Sequence, residues 1–432
     1  MSSPTGKPTP LYHLYRGVTA AIAPIAWASV ARKLRKAGVS TERQQERLGA
    51  ASLPRPPGQL VWFHGASVGE SLSVLTLITR MGERLPGTEF LITSGTPTSA
   101  ELIAKRLPPR TRHQFAPLDV HGPVGRFYNH WRPEAGIFVE SEIWPQMLVK
   151  GRERGTRLAL LNARLSDKSV EGWKKRPKTA RFLLDQFRLM LTQNDKTAQN
   201  LLDMGADPAR VKPGTNLKAT SAPLPVDELA LARIRGEIGD RPLWIASSTH
   251  AGEEETVLAA HKELLKSDPD LLLLLIPRHP DRGEEVKRLV GQAGLTCAQR
   301  STGQALAPDT QVYLADTLGE TGTWYALCPL VFMGGSLLKI GGHNPFEPAQ
   351  AGAAVITGPG YYNFRETFDP LIAQGGAVEV TDAASLAEAV SHWLTNSPAL
   401  KAACAAARTC VQDQANALDD VVETLIKALE LE

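Results

Sequence analysis

A chain of 432 residues exceeds what one hydrophobic core usually holds, so two domains with small appendages are expected. Hydrophobic residues at 43% and charged residues at 22%, with a mean hydropathy of −0.17, exclude both a disordered chain and a polytopic membrane protein. A net charge of +3 without a nucleic-acid-binding signature argues against a nucleic-acid partner, and the four cysteines, Cys297, Cys328, Cys404 and Cys410, fit reduced thiols in a cytoplasm.

Residues Gly17 to Ala31 carry no charge and are followed by Arg32, Lys33, Arg35 and Lys36. The run is shorter than the ~20 residues of a spanning helix and Pro24 interrupts it, which favours an interfacial helix whose basic flank lies on anionic cytoplasmic lipid. A cleaved signal peptide ending near Ala26–Ala28 is a rival reading, opposed by the trailing basic cluster, and a helix packed on the protein body is another. This segment is assigned residues 1–50.

From residue 59 short apolar runs alternate with helical patterns: LVWFHG, a helix near 70 to 84, FLITSG, HQFAPLD, AGIFVESE, RLALLNAR and LMLTQ. That rhythm predicts βαβ units on a parallel sheet over residues 51–222. His64 to Glu70 (HGASVGE) follows a strand and opens a helix, where a doubly wound sheet places its chemistry. Glu70 reads either as an acid favoured by the helix dipole or as a general base. The two readings conflict, because a helix N-terminus lowers a carboxylate pKa and a base benefits from a raised one. Glu140 and Glu142 in ESEIWP bring two acids to a second strand end, with Pro145 suited to a first helical turn.

The Pro-rich stretch Pro213–Pro225 is expected to link this domain to a second over residues 223–432, built from PLWIASS, LLLLLIPR, VYLAD, PLVFMGG, AAVITGP and AVEVTD. Ser248 and Thr249 precede an acid-rich helix start and suit either a phosphate or an ordinary helix cap. Arg278 and His279 follow five consecutive leucines and deliver cationic or polar groups to a strand end. Gly334, Gly335 and Ser336, then His343, Asn344 and Glu347, combine glycines that permit close backbone approach with an acid suited to ribose hydroxyls. Two such domains facing across a cleft would accommodate a two-substrate transfer.

The motifs HGASVGE, TSGTPTSAE, ESEIWP, NARLS, SSTHAGEE, IPRHPDR, MGGSL and GGHNPFEPA, in this order over nearly the whole chain, resemble the 3-deoxy-D-manno-octulosonic acid (Kdo) transferases of lipid A and lipopolysaccharide assembly. The resemblance implies a GT-B fold, α/β with two doubly wound Rossmann-like domains and an N-terminal membrane-associated helix. It implies an inverting glycosyltransferase with CMP-Kdo as donor, the lipid A precursor (lipid IVA) as acceptor, no metal, and a place on the cytoplasmic side of the cell inner membrane. By position it makes Glu70 the base, Glu142 a second acid, Arg278 and His279 phosphate contacts, Gly334, Gly335 and Ser336 a backbone cradle, and Asn344 with Glu347 the ribose site, with Ser248 and Thr249 secondary. PGTNLK stands where members of that family often carry GSLK, which leaves any role of Lys218 open. The alternative is another GT-B transferase or epimerase using a UDP-sugar.

Overall fold

A computed structural model describes residues 6–214 and 223–432. Lys218 and most of the expected linker lie outside the described residues. The chain divides into two units, Met1–Ser221 with Ala415–Glu432, and Ala222–Gln414.

The first unit is built on seven strands, β1 (Gln59–His64), β2 (Thr88–Ser94), β3 (Thr111–Phe115), β4 (Ala135–Val139), β5 (Arg157–Ala163), β6 (Phe187–Thr192) and β7 (Val211–Pro213). They lie in the order β3-β2-β1-β4-β5-β6-β7 and every pairing is parallel. Helices cover both faces of such a sheet, so its strands read as continuous apolar runs. Alternate residues of β1 serve opposite layers: Val61 and Phe63 pack with Leu77, Ile78 and Met81, and Leu60 and Trp62 with Phe127, Tyr128 and Trp131.

Two local expectations change. The helix near 70 to 84 is two helices, Val68–Ser73 and Leu75–Arg84, broken at Val74. The N-terminal helix runs unbroken over Pro10–Lys36, with Pro24 inside it. That proline ring is exposed to solvent.

This N-terminal helix is held to the first unit at both ends. The Thr9 and Thr179 hydroxyls are 2.8 Å apart, the Tyr15 hydroxyl donates to Asp119 at 2.9 Å, and the Gln146 amide donates to the Thr19 hydroxyl at 2.9 Å. Leu34 in its last turn is buried with Ala100 and Phe115. Leu14, Val18, Ile22 and Ile25, spaced along one helix face, stay exposed at 62%, 48%, 50% and 76%. By length and composition the helix could cross a membrane.

The second unit carries β8 (Leu243–Thr249), β9 (Leu272–Pro277), β10 (Cys297–Gln299), β11 (Val312–Leu314), β12 (Leu330–Met333), β13 (Ala354–Thr357) and β14 (Ala377–Glu379). Their order is β10-β11-β9-β8-β12-β13-β14, again parallel throughout. The final helix, Ser397–Ala428, returns the chain to the first unit. Leu418, Val422, Leu425 and Leu429 join the core of the first sheet, and Glu430 pairs with Arg157 at 3.1 Å and Arg188 at 2.7 Å. A division made along the sequence at 223–432 misses this return, because residues 415–432 owe their placement to contacts remote in sequence.

Candidate functional site

In an open doubly wound sheet, ligands bind beyond the carboxyl ends of the strands where strand order reverses. In the first sheet that point lies between β1 and β4, the strands followed by Glu70 and Glu142. In the second it lies between β8 and β12, which deliver Ser248–Thr249 and Gly334–Ser336. The candidate residues therefore form two clusters, one per unit.

Glu70 sits half-buried in the first turn of helix Val68–Ser73. One carboxylate oxygen accepts the Ala66 amide at 2.8 Å and the other the Ser67 hydroxyl at 2.7 Å. Burial pushes its pKa upward, with the negative charges of Glu142 and Glu140 adding to the rise, and the two hydrogen bonds only partly oppose them. The conflict between dipole and base is thus decided by desolvation.

Glu142 is buried and has a different environment. Burial raises its pKa, but His64 and the Trp144 indole N–H together hold it below the ordinary carboxylate value. The His64 Nε2 lies 3.2 Å from the carboxylate, and Trp144 donates to the same oxygen. His64 is oriented in turn by Thr93, whose hydroxyl is 2.9 Å from Nδ1 and also accepts the Trp62 indole N–H at 2.8 Å. Glu140 stands in the left-handed backbone region with φ of 59°. Environment thus separates Glu70 from Glu142, the pKa of the first raised by burial and that of the second lowered by its hydrogen-bond partners.

An apolar cavity of about 520 Å³ lies against the N-terminal helix, lined among others by its Leu11, Tyr15 and Val18, and by Pro145, Trp173 and Leu183. Pro145 starts the helix that follows Glu142 and Trp144. The exposed cations Lys175, Arg176 and Lys178 neighbour Trp173 in sequence, and Arg176 also lines the cavity.

In the second unit Arg278 is exposed and forms no ion pair among the described residues, while its amide is held by the Thr249 carbonyl at 2.9 Å. His279 is exposed too, its ring 5.6 Å from that of His250. The His250 and His343 rings face each other with Nε2 atoms 2.8 Å apart. Burial lowers the pKa of both, and each is lowered further by Arg278 and His279; His343 falls to about 4. Arg278 gives this rim its positive charge, and the half-buried His250 and His343 are held below the ordinary histidine value. Asn344, just before the next helix, accepts the Phe346 amide at 3.2 Å, and Glu347 is half-buried in that helix's first turn.

The glycine loop differs from expectation. The amides of Gly335, Ser336 and Leu337 donate to the Glu253 carboxylate at 2.6, 2.9 and 2.9 Å. The cradle expected to receive a donor phosphate is filled by the protein's own buried acid. Ser336 instead bonds through its hydroxyl to the Met333 carbonyl and the Gly358 amide. Sequence reasoning gave no role to Glu253, His64, Trp144 or His250, and named His343 only as a member of the glycine-rich stretch. All lie inside the quoted motifs HGASVGE, ESEIWP, SSTHAGEE and GGHNPFEPA, so their proximity to the candidate residues was the available signal.

Two all-parallel α/β units, each with a polar cluster where its strand order reverses, define a GT-B architecture. The solved UDP-GlcNAc 2-epimerase of Neisseria meningitidis shares that fold, aligning over 86% of this chain and 100% of its own with a TM-score of 0.58 at 12% identity. Residues 42–221 match the family model described as 3-deoxy-D-manno-octulosonic-acid transferase (kdotransferase). The chain is 34% identical over 397 residues to the probable mitochondrial 3-deoxy-D-manno-octulosonic acid transferase of Arabidopsis thaliana, covering 89% of this chain and 88% of that one. It is 33% identical over 370 residues to the 3-deoxy-D-manno-octulosonic acid transferase of Haemophilus influenzae, covering 83% and 86%. The chain belongs to the Kdo transferase family of glycosyltransferases.

Proposed function

We propose that this chain transfers Kdo from CMP-Kdo to a lipid A precursor with inversion, releasing CMP, in lipopolysaccharide biosynthesis. The observation that carries the reading is Glu70: a half-buried carboxylate with raised pKa, at the reversal of strand order, beside an acid kept ionised by His64. Glu70 takes the proton of the acceptor hydroxyl as that oxygen attacks the anomeric carbon. The bond from that carbon to the phosphate oxygen breaks, and CMP leaves with the electron pair.

Arg278 and His279 meet the donor's anionic groups beside Ser248 and Thr249, the Thr249 carbonyl holding the Arg278 amide, and Asn344 and Glu347 serve the ribose. No metal is assigned a role, and among the described residues no three His, Cys, Asp or Glu side chains gather to hold one. Transfer unaffected by a chelator is the expected result.

The apolar cavity and its cationic neighbours support a lipid acceptor. The exposed Leu14, Val18, Ile22 and Ile25 face, with Arg32, Lys33, Arg35 and Lys36 near its end, supports docking on the cytoplasmic leaflet of the inner membrane. Because both helix ends are tied to the first unit, this helix lies in the interface. Ile25→Glu with Leu14→Glu should shift the protein from pelleted vesicles to the supernatant; undiminished pelleting would refute the docking face.

Mass spectrometry of lipid IVA incubated with CMP-Kdo and the protein tests the reaction. An added Kdo mass supports it, and its absence with tight binding of UDP in place of CMP would favour a UDP-sugar enzyme.

A further inference from the structure

Glu253 has no exposed surface and carries no role in the transfer described above. Its carboxylate collects four backbone amides from two loops: His250 at 3.1 Å from the loop after β8, and Gly335, Ser336 and Leu337 from the loop after β12. Ser248 stands at φ of 58°, a left-handed conformation costly for a residue with a side chain. A Cβ on Gly334 would lie 2.7 Å from the Ser248 carbonyl oxygen, and one on Gly335 would lie 2.9 Å from the His343 ring. The loops are in direct backbone contact, and Glu253 is the charge that joins them.

We infer that Glu253 is a positioning residue for the nucleotide-sugar donor: by taking the amides of both loops, it fixes Ser248, His250 and His343 relative to one another beneath the Arg278–His279 rim. The inference rests on the second unit being the donor-binding half. A glutamine would keep the size but present an NH₂ group to at least one amide, losing charge-assisted hydrogen bonds and opposing a donor with a donor. An aspartate keeps the charge and falls one methylene short.

The test measures CMP binding by calorimetry, and the KM values of donor and acceptor, in the full-length protein. Glu253→Gln should weaken CMP binding and raise donor KM at least about tenfold, the loss expected from one or two charge-assisted hydrogen bonds, with acceptor KM within twofold. Glu253→Asp should fall between wild type and Gln. CMP affinity unchanged in the Gln protein, or equal increases in donor and acceptor KM, would overturn the assignment. Should the Gln protein not fold, the Asp protein decides: affinity indistinguishable from wild type overturns it. Amide hydrogen exchange at 335–337 should quicken in either variant without any ligand. Wild-type protein that fails to bind CMP would sink the donor assignment, and unchanged exchange would sink the role of Glu253.

Discussion

The two units repeat one topological device with opposite electrostatic outcomes, and the comparison turns on two glutamates. Each follows the strand at which its sheet's order reverses, Glu70 after β1 and Glu253 after β8. Glu253 takes four backbone amides and is sealed from solvent. Glu70 takes one amide and one hydroxyl, is only half-buried, and has acids as neighbours. The same residue type at the same topological position thus joins two loops where donors converge on it, and keeps a half-exposed carboxylate with a raised pKa, the property the proposed base needs, where they do not. A cationic rim stands in the second unit, where Arg278 has no acid paired with it among the described residues.

The sharpest way to break this comparison is Glu70→Gln. The amide preserves shape but cannot accept the acceptor's proton, so turnover should fall by about 10²–10⁴ while CMP affinity stays within twofold. Turnover equal to wild type would remove the distinction between the two glutamates. Arg278→Ala should leave the acceptor KM unchanged and weaken CMP binding by about tenfold or more, the scale of a hydrogen bond to a charged partner. Calorimetry with CMP checks it, and unchanged affinity would leave the second unit's cationic rim without its proposed ligand.

Stability offers a further contrast, because the first core is completed by a helix that starts in the other unit. Leu425 is fully buried against the first sheet, so Leu425→Ala should cost about 2–5 kcal/mol in denaturant unfolding. An effect below about 1 kcal/mol would mean the C-terminal return is peripheral to that core.

The parallel strands were legible because runs such as LVWF and LLLLLIP are apolar on both faces, and the motif order singled out Glu70, Glu142 and Arg278 as candidates. Pro24 misled because its cost inside a helix was judged without the contacts that hold both helix ends, at Thr9 and at Leu34. The glycines of GGS correctly indicated close backbone approach. Which anion meets their amides was not legible, since Glu253 lies 82 residues from Gly335. The pKa of Glu70 was equally hidden: the helix start is visible in sequence, and the burial that outweighs it is not.

The smallest expected effect is the most specific. A base must be ionised to act, and the raised pKa of Glu70 means that its ionised form accumulates only above the ordinary carboxylate range. The pH–rate profile should therefore rise through a limb lying above that range. Glu142 is held ionised by His64 and repels the charge on Glu70. Glu142→Gln removes the repulsion, so Glu70 should lose its proton more readily and the rising limb should move to lower pH. His64→Ala should act in the same direction, more weakly, because Glu142 deprived of its partner carries its charge for a smaller part of the pH range. A limb unmoved by Glu142→Gln would mean that desolvation and Glu140 raise the pKa of Glu70 without help from Glu142, and that the Glu70–Glu142 pair has no electrostatic consequence for the base.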